Sequence, residues 1–409
     1  MKIGIIGLSQ TGKTTLFNLL CGRVAGDVAG AGGLAASAPA SVKGHKKAAN
    51  FGIGLVPDGR IDFLSALYKP KKTTFANIEY TDIAGFSLSS PAIGMDGFSD
   101  ANIEGAANMG SGGGGGNSRG SSGAGGSSAS GAAKFLNDVR PCDALIHVVR
   151  AFDSETVIHD LATVNPARDF ESVDTELLFA DLEMIENRIS RINASKKISK
   201  IQTDEIALLK RCYAQIENGG AIRDIELSEE EAAAIRGYSF LTEKPRIAVA
   251  NMDERQWESG TYHHRDELNA LCTASNIPLI ELCADMELEI SRLAEDDKKL
   301  FMEDMGIEQP GVAILARAIY RLLGLISFLT VGEDEVRAWT VEEGSSAKRA
   351  AGKIHSDIER GFIRAEVVKY DALKELGSMA KVKEHGLFRL EGKEYIVADG
   401  DIISFRFNV

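Results

Sequence analysis

The chain has 409 residues, of which 44% are hydrophobic and 26% charged, as in soluble globular proteins. Its length exceeds one ordinary core and predicts about two or three domains. The formal net charge of −13 argues against a protein that coats nucleic acid over its whole surface and leaves room only for a regional basic patch. The five cysteines form no C-x-x-C pair, and the sequence shows no signal peptide or membrane-spanning run, so we expect a cytoplasmic monomer with reduced thiols.

Residues 7–14 fit the phosphate-binding loop pattern G-x-x-x-x-G-K-[ST]. An apolar run at residues 3–6 predicts a strand before the loop, and residues 14–21 predict a helix after it, which is the context that the pattern requires. Lys13 is then expected to reach the β- and γ-phosphates of a nucleotide, and the Thr14 hydroxyl to bind Mg²⁺. The alternative is a glycine-rich turn that binds nothing, and it would not require strand, spacing and helix together.

Asp82 and Gly85 form the second half of a predicted phosphoryl-transfer site. Strands are predicted at residues 51–56 and 76–80, with a short helix at 61–67, and D-x-x-G follows the second strand. Asp82 is expected to organise the Mg²⁺ shell, and the N–H of Gly85 to approach the γ-phosphate because no side chain blocks it. Alone, D-x-x-G is more often a turn, but its place after the phosphate loop favours a nucleotide site. The predicted catalytic residues are Lys13, Thr14, Asp82 and Gly85.

Two segments are poor in large apolar residues. Residues 24–39 are rich in glycine and alanine and lead into a basic cluster at 43–47, and residues 87–131 contain a Gly/Ser tract, most pronounced at about 105–131. Such segments cannot anchor themselves in a core. We therefore predict a mobile loop in the first and a flexible tether in the second.

Residues 165–238 carry a helical pattern. Apolar residues recur at steps of three and four between residues 178 and 192 and again between 206 and 216, which predicts an antiparallel α-helical hairpin. Its tip is expected to be either a solvated polar face or a contact for RNA phosphates, and the acidity of the rest of the chain favours RNA. The basic residues around the tip are Arg188, Arg191, Lys196, Lys197, Lys200, Lys210 and Arg211.

Alternating strands and helices resume near residue 240. A strand at 246–250 leads into Asn251, and a strand at 278–282 leads into Cys283. Because ligands lie at the carboxyl ends of strands in a doubly wound sheet, Asn251 and Glu254 are expected to read the edge of a purine. Residues 1–160 and 240–305 would then form one P-loop nucleotide domain that the hairpin interrupts.

The last segment, residues 325–409, has the pattern of a separate small α/β unit. Strands are predicted at 336–341, 363–368 and 402–407, with a helix at 346–358. The segment carries no catalytic constellation, so we expect it to serve in recognition.

Several stretches resemble the YchF branch of the Obg-related P-loop GTPases, the Obg-like ATPases. They are Pro57-Asp58-Gly59-Arg60, Asp82-Ile83-Ala84-Gly85 and, in the tail, Glu335-Val336-Arg337-Ala338-Trp339-Thr340 and Gly361-Phe362-Ile363-Arg364-Ala365. The resemblance implies an α/β fold with a Ras-like P-loop nucleotide domain, an inserted α-helical hairpin and a C-terminal ubiquitin-like β-grasp TGS domain. It also implies ATP hydrolysis with Mg²⁺ and association with the ribosome or ribosomal RNA.

The resemblance also bears on the choice of nucleotide. Guanine-specific relatives carry N-K-x-D, whereas Met252 and Glu254 stand at the Lys and Asp positions here, as in the N-x-x-E of the ATP-preferring branch. The longer carboxylate displaces a two-acceptor fork by about one methylene, and a misplaced buried acceptor is costly, so ATP is expected to be preferred to GTP. The predicted nucleotide contacts are Ser9, Gln10, Thr11, Gly12, Lys13, Thr14, Thr15, Asn251, Met252, Glu254, Cys283 and Ala284.

The switch regions depart from the family pattern. The family's first-switch threonine falls near Lys46, the phosphate-loop asparagine is Gln10, and the long tether replaces the glycine-rich second switch. Phe86 stands where Ras-like enzymes place a water-orienting glutamine, and that hydrophobic substitution belongs to the family. Hydrolysis is therefore expected to be slow or to depend on a partner. The alternatives are a hydrolysis-impaired paralogue that acts as a nucleotide-dependent binding module, and a scaffold that binds the ribosome or RNA.

Overall fold

The computed structural model describes residues 1–23, 50–85 and 128–408. The loop predicted at 24–39, the basic cluster at 43–47, Phe86 and nearly all of the tether predicted at 87–131 lie outside the described residues. Among the helices that are described, none is both long enough and apolar enough to cross a membrane.

Strands and helices alternate along most of the chain. The strands are β1 (Lys2–Ile6), β2 (Asn50–Leu55), β3 (Lys72–Thr74), β4 (Asn77–Asp82), β5 (Ala144–Arg150), β6 (Arg246–Asn251), β7 (Leu279–Leu282), β8 (Leu325–Thr330), β9 (Glu335–Glu342), β10 (Phe362–Lys369), β11 (Arg389–Glu391) and β12 (Asp401–Phe407). The α-helices are α1 (Lys13–Leu20), α2 (Gly59–Tyr68), α3 (Ser128–Val139), α4 (Pro166–Asn193), α5 (Lys200–Glu217), α6 (Glu229–Ile235), α7 (Glu254–Ser259), α8 (Arg265–Ala274), α9 (Ala284–Arg292), α10 (Glu295–Asp304), α11 (Gly311–Leu322), α12 (Ala347–Ile354), α13 (Ser356–Arg360), α14 (Tyr370–Leu376) and α15 (Met379–Glu384).

The first of two sheets has the strand order β2-β4-β1-β5-β6-β7. All neighbours run parallel except β2, which pairs antiparallel with β4 at the edge of the sheet. The central strand β5 is buried along its whole length, as expected for a strand covered by helices on both faces. The α/β fold class predicted from the sequence is thus confirmed, and the carboxyl ends of the parallel strands share one edge.

The helical hairpin predicted from apolar spacing is formed by α4 and α5. The first half of α4 packs on the first sheet through residues such as Phe170 and Val173. Its second half packs against α5, where Ile185 meets Leu209 in a separate hydrophobic cluster. One continuous helix therefore joins the hairpin to the sheet.

Two of the seven basic residues predicted around the hairpin tip are held by carboxylates. The Arg188 guanidinium donates from Nε and Nη2 to the two carboxylate oxygens of Glu205 at 2.7 and 3.0 Å, and Arg211 is paired with Glu231. Three lysines at the tip are exposed and form no ion pair with any described residue: Lys196, Lys197 and Lys200. The concentrated positive charge is therefore smaller than the sequence suggested and lies closer to the turn between the two helices.

The second sheet has the order β11-β10-β12-β8-β9-β3 and belongs mainly to the C-terminal segment. Its edge strand β3 comes from the N-terminal part of the chain, between α2 and β4, and pairs parallel with β9. Thr74 Oγ1 donates to Glu335 Oε1 at 2.6 Å beside this pairing. The strand was not predicted, because three residues without apolar alternation give no pattern.

The helix predicted at 346–358 is two helices, α12 and α13. His355 separates them with an extended backbone (φ −162°, ψ 143°), and its side chain accepts a hydrogen bond from Asp357 N at 3.2 Å. A local side-chain cap therefore starts a second helix where apolar spacing alone predicts one.

The two sheets share one hydrophobic core, although the sequence predicted a separate C-terminal unit. Ile5 and Leu16 of the first sheet's layer belong to the same buried cluster as Leu329 and Val336 of the second. The C-terminal segment therefore packs against the N-terminal part of the chain through one continuous hydrophobic core.

Candidate functional site

The loop predicted to bind phosphate wraps around the start of α1 with a backbone that glycine permits. Gly7 and Gly12 have φ values of +143° and +93°, and a Cβ on Gly7 would lie 2.2 Å from the carbonyl oxygen of Val148. Gln10 also has a positive φ of 59°. The loop thus approaches β5 more closely than any residue with a side chain would allow.

Lys13 is buried in this loop. Its side chain is only 6% exposed, and its ammonium group donates a hydrogen bond to the carbonyl oxygen of Leu8. Burial lowers the pKa of Lys13 to about 8, while the negative charges of Asp82 and Asp160 act in the opposite direction. The ammonium group therefore sits where an anionic ligand would relieve its loss of hydration.

Thr14 and Asp82 meet at the start of α1. The Thr14 hydroxyl donates to Asp82 Oδ2 at 2.9 Å, which joins the phosphate loop to the end of β4. A hydroxyl and a carboxylate are hard oxygen ligands of the kind that Mg²⁺ takes beside nucleotide phosphates. In the described part of the chain, no group of three or more His, Cys, Asp or Glu side chains is placed to hold a metal ion.

Gly85 lies directly over the phosphate loop. A Cβ at this position would come within 2.9 Å of both Lys13 Nζ and Ser9 Cα. Backbone at this distance cannot move aside as a flexible side chain can. Position 85 therefore requires glycine for close approach, as the D-x-x-G pattern predicts.

These groups line a cavity of about 430 Å³. Its lining comprises Ser9, Gln10, Lys13, Thr14, Asn50, Asp82, Ile83, Ala84, Gly85, Lys134 and Asp138. Three of these residues were not predicted from the sequence: Asn50 at the start of β2, and Lys134 and Asp138 on α3. No short motif marks these three residues. Asn50 reaches the cavity because β2 pairs with β4, and Lys134 and Asp138 reach it because α3 lies along the cavity.

Asn251 links the two halves of the predicted nucleotide site. Its side-chain nitrogen donates to the carbonyl oxygen of Thr11 at 3.1 Å, and its side-chain oxygen accepts from Ala284 N at 3.0 Å. The predicted base-reading amide therefore also fixes the phosphate loop against the start of α9. A Cβ on Gly12 would lie 2.3 Å from Asn251 Nδ2, which explains why this contact needs glycine there.

The two acidic residues after Asn251 have different surroundings. Asp253 is the N-cap of α7, and its Oδ1 accepts from Gln256 N at 3.0 Å. Glu254 is exposed and has no hydrogen bond from a described residue. Met252 is buried in the hydrophobic cluster beneath the segment. Glu254 is thus the carboxylate of this segment that is available to a ligand.

Cys283 directly follows β7, which pairs parallel with β6, the strand that leads towards Glu254. Burial raises the pKa of the Cys283 thiol, and the nearby charges of Asp285 and Glu254 act in the same direction against backbone hydrogen bonds. The structure therefore brings the ends of β6 and β7 together, as predicted from the sheet. Of the other predicted contacts, Thr11 is buried with its hydroxyl donating to Leu8 O at 3.3 Å, and Thr15 lies in the first turn of α1.

Comparisons with known proteins cover the whole chain. The family model YchF-GTPase_C, described as a protein of unknown function, matches residues 325–408. A protein of Pasteurella multocida (strain Pm70) named "Ribosome-binding ATPase YchF" is 37% identical over 409 residues, covering 100% of this chain and 99% of the relative. A protein of the same name from Bacillus subtilis (strain 168) is 38% identical over 411 residues, covering 100% of each.

A solved structure agrees with this relationship. The Schizosaccharomyces pombe YchF GTPase superposes with a TM-score of 0.77 at 26% identity, covering 99% of this chain and 97% of the other. The identity to the bacterial proteins extends over the full length of both sequences. The resemblance predicted from the motifs is thus confirmed, and the chain belongs to the YchF family.

Proposed function

We propose that this protein binds ATP with Mg²⁺ in the cavity around Lys13, hydrolyses it slowly to ADP and phosphate, and couples the bound nucleotide to association with the ribosome. The observation that carries the proposal is the contact between Thr14 and Asp82 in a cavity that Lys13 and Gly85 also line. Relatives with the name "Ribosome-binding ATPase YchF" support both the ATPase activity and the ribosome as partner.

Each group in the cavity has a defined part in this reaction. Lys13 stabilises the negative charge of the β- and γ-phosphates, and the backbone N–H groups of the loop bind phosphate oxygens. Thr14 and Asp82 would hold a Mg²⁺ ion, which would supply positive charge next to the phosphate oxygens. Gly85 places its N–H beside the γ-phosphate, because no side chain intervenes.

Lys13→Ala provides the direct test. We expect ATP turnover to fall by at least about a hundredfold, because phosphate charge in the transition state loses its buried cation. Phosphate release with Mg²⁺ measures the effect, and circular dichroism with a melting curve checks that the variant is folded. Lys299→Ala, an exposed lysine on α10, is the matched control. Undiminished turnover in a folded Lys13→Ala protein would refute the proposed chemistry.

The preference for ATP over GTP rests on Glu254. Glu254 is exposed at the start of α7, just after the end of β6, and its side chain is one methylene longer than that of aspartate. Asp253, the residue before it, is already used as a helix cap. Titration with both nucleotides tests the preference, and tighter binding of GTP would contradict it.

We infer that the lysines at the hairpin tip contact ribosomal RNA. Reversing Lys196, Lys197 and Lys200 to Glu should weaken ribosome co-sedimentation and reduce its dependence on salt, because fewer counterions are released. The matched control reverses three exposed cations elsewhere: Arg255, Arg292 and Lys299. If both triple variants sediment with ribosomes as the unaltered protein does, the tip is not the contact.

A further inference from the structure

Asn50 faces the metal-binding end of the cavity. It is the first residue of β2, and its partner across the strands is Asp82, the last residue of β4. Residues directly opposite each other on antiparallel strands place their side chains on the same face, with Cβ atoms about 5 Å apart. Because the Asp82 carboxylate accepts from Thr14, the Asn50 side chain shares its side of the sheet with both groups.

The row of residues on β2 gives the direction of this side chain independently. Asn50, Gly52 and Gly54 alternate along the strand and so share one face. A Cβ on Gly54 would lie 2.2 Å from Leu20 O, and one on Gly52 would lie 2.3 Å from Cys21 Sγ and 3.0 Å from Phe17 Cζ. Both glycines therefore pack against α1, and Asn50 lies on this same face at the end of β2 that is paired with Asp82.

The chemistry of Asn50 suits a metal shell. Its side chain has no hydrogen bond to any described residue, although it lines the cavity with Lys13 and Thr14. An amide carbonyl is a hard neutral oxygen of the kind that coordinates Mg²⁺ or holds its water ligands. The family's first-switch threonine falls near Lys46 in this sequence, within a basic cluster whose lysines have no oxygen to offer a metal ion.

We propose that Asn50 is a positioning residue for the Mg²⁺ of the bound nucleotide, with its amide oxygen on the same side of the sheet as Asp82 and available to the ion's coordination shell. The inference rests on the proposed ATP site and adds a residue that no motif identifies. Asn50 then supplies an oxygen from β2, Thr14 supplies one from α1, and Asp82 supplies one from β4. Three different elements of the fold thereby meet around one ion.

The test measures nucleotide binding as a function of Mg²⁺, without turnover. A fluorescent, non-hydrolysable ATP analogue is titrated into the full-length protein at a series of Mg²⁺ concentrations and in EDTA. We expect Asn50→Ala to raise the Mg²⁺ concentration for half-maximal binding by about tenfold, as loss of groups around metal ligands typically does. Asn50→Asp should return this Mg²⁺ concentration to that of the unaltered protein, because aspartate keeps the side-chain oxygen. Asn77→Ala, an exposed asparagine at the other end of the same strand pair, is the matched control.

Each outcome decides the question. If Asn50→Ala binds the analogue in EDTA like the unaltered protein, then the altered site is folded and the Mg²⁺ titration is interpretable. An unchanged Mg²⁺ requirement in that variant would overturn the inference and leave the proposed function intact. A Mg²⁺ requirement as high in Asn50→Asp as in Asn50→Ala would also overturn it, because the oxygen that aspartate keeps would then make no difference. If the unaltered protein binds the analogue independently of Mg²⁺, the proposed function itself fails.

Discussion

His147 is a buried residue that takes no part in the proposed reaction. It points from β5 towards α4 and stacks on Phe170 with ring centroids 4.9 Å apart, and neither ring nitrogen has a hydrogen-bond partner in the described part of the chain. Desolvation holds the pKa of His147 well below its usual range, and the positive charges of Arg246 and Lys13 add to this effect. The folded protein therefore keeps this imidazole neutral.

This environment predicts a loss of stability in acid. Below about pH 6.5 the unfolded chain binds a proton at His147, whereas the folded chain does not. Protonation therefore stabilises the unfolded state, and the free energy of unfolding falls as the pH drops below that value. His147 adds at most about 1.4 kcal/mol per pH unit to the slope of the unfolding free energy against pH. Urea unfolding between pH 7 and pH 5 should show a smaller slope for His147→Leu than for His263→Leu, an exposed control. Equal slopes would show that His147 is protonated in the folded protein.

At the scale of elements, Asp181 connects the helical hairpin to the segment that leads back into the first sheet. It lies on α4, fully buried, and its carboxylate accepts from Leu241 N at 3.0 Å and from Thr242 N and Oγ1 at 2.8 Å each. Residues 241–242 lie just before β6, where the chain returns from the hairpin. One side chain therefore ties the outgoing helix to the returning strand.

Removing this tie should loosen the junction. Asp181→Ala leaves three buried donors without an acceptor, which we expect to cost about 3 kcal/mol of unfolding free energy. Chemical denaturation measures the loss, and hydrogen exchange at residues 241–242 should rise with it. Asp204→Ala on the exposed face of α5 is the control. A loss below about 1 kcal/mol would mean that water replaces the carboxylate at little cost.

Local patterns explain which elements were predictable from the sequence. The phosphate loop, β4 and the hairpin helices are each marked by a pattern of residues that are close together in the sequence. These elements appear where they were predicted. Strand β3 has three residues, and its partner strand begins 261 residues beyond Thr74, so no window of sequence contains both. Asn50 was missed for the same reason, since only strand pairing places it opposite Asp82. The burial of Met252 likewise depends on helices that approach from elsewhere.

At the scale of the whole molecule, Arg60 joins α2 to the second sheet electrostatically. Its guanidinium donates to Asp58 at 2.9 and 2.8 Å and to Asp399 at 2.8 and 3.2 Å. Asp399 also accepts from Ser327 N at 2.9 Å, which fixes the carboxylate within the second sheet. A planar fork can satisfy two carboxylates in this way, and a lysine cannot.

Arg60→Lys should therefore weaken the junction without changing net charge. We expect a loss of about 1–2 kcal/mol, moderated because Asp399 is half exposed. Thermal unfolding measures the loss, and limited proteolysis should detect earlier cleavage between the sheets. Arg321→Lys on an exposed turn of α11 is the control. The prediction fails if both substitutions shift the melting temperature equally.

The contribution of β3 to the second sheet also constrains how the chain can fold or be divided. A fragment beginning at residue 325 would lack β3, so the outer edge of β9 would present unpaired backbone groups. During synthesis, β3 emerges long before β9 exists, and this edge can close only after the C-terminal strands are made. The C-terminal segment is therefore expected to have a fully paired sheet only when residues 72–74 belong to the same chain.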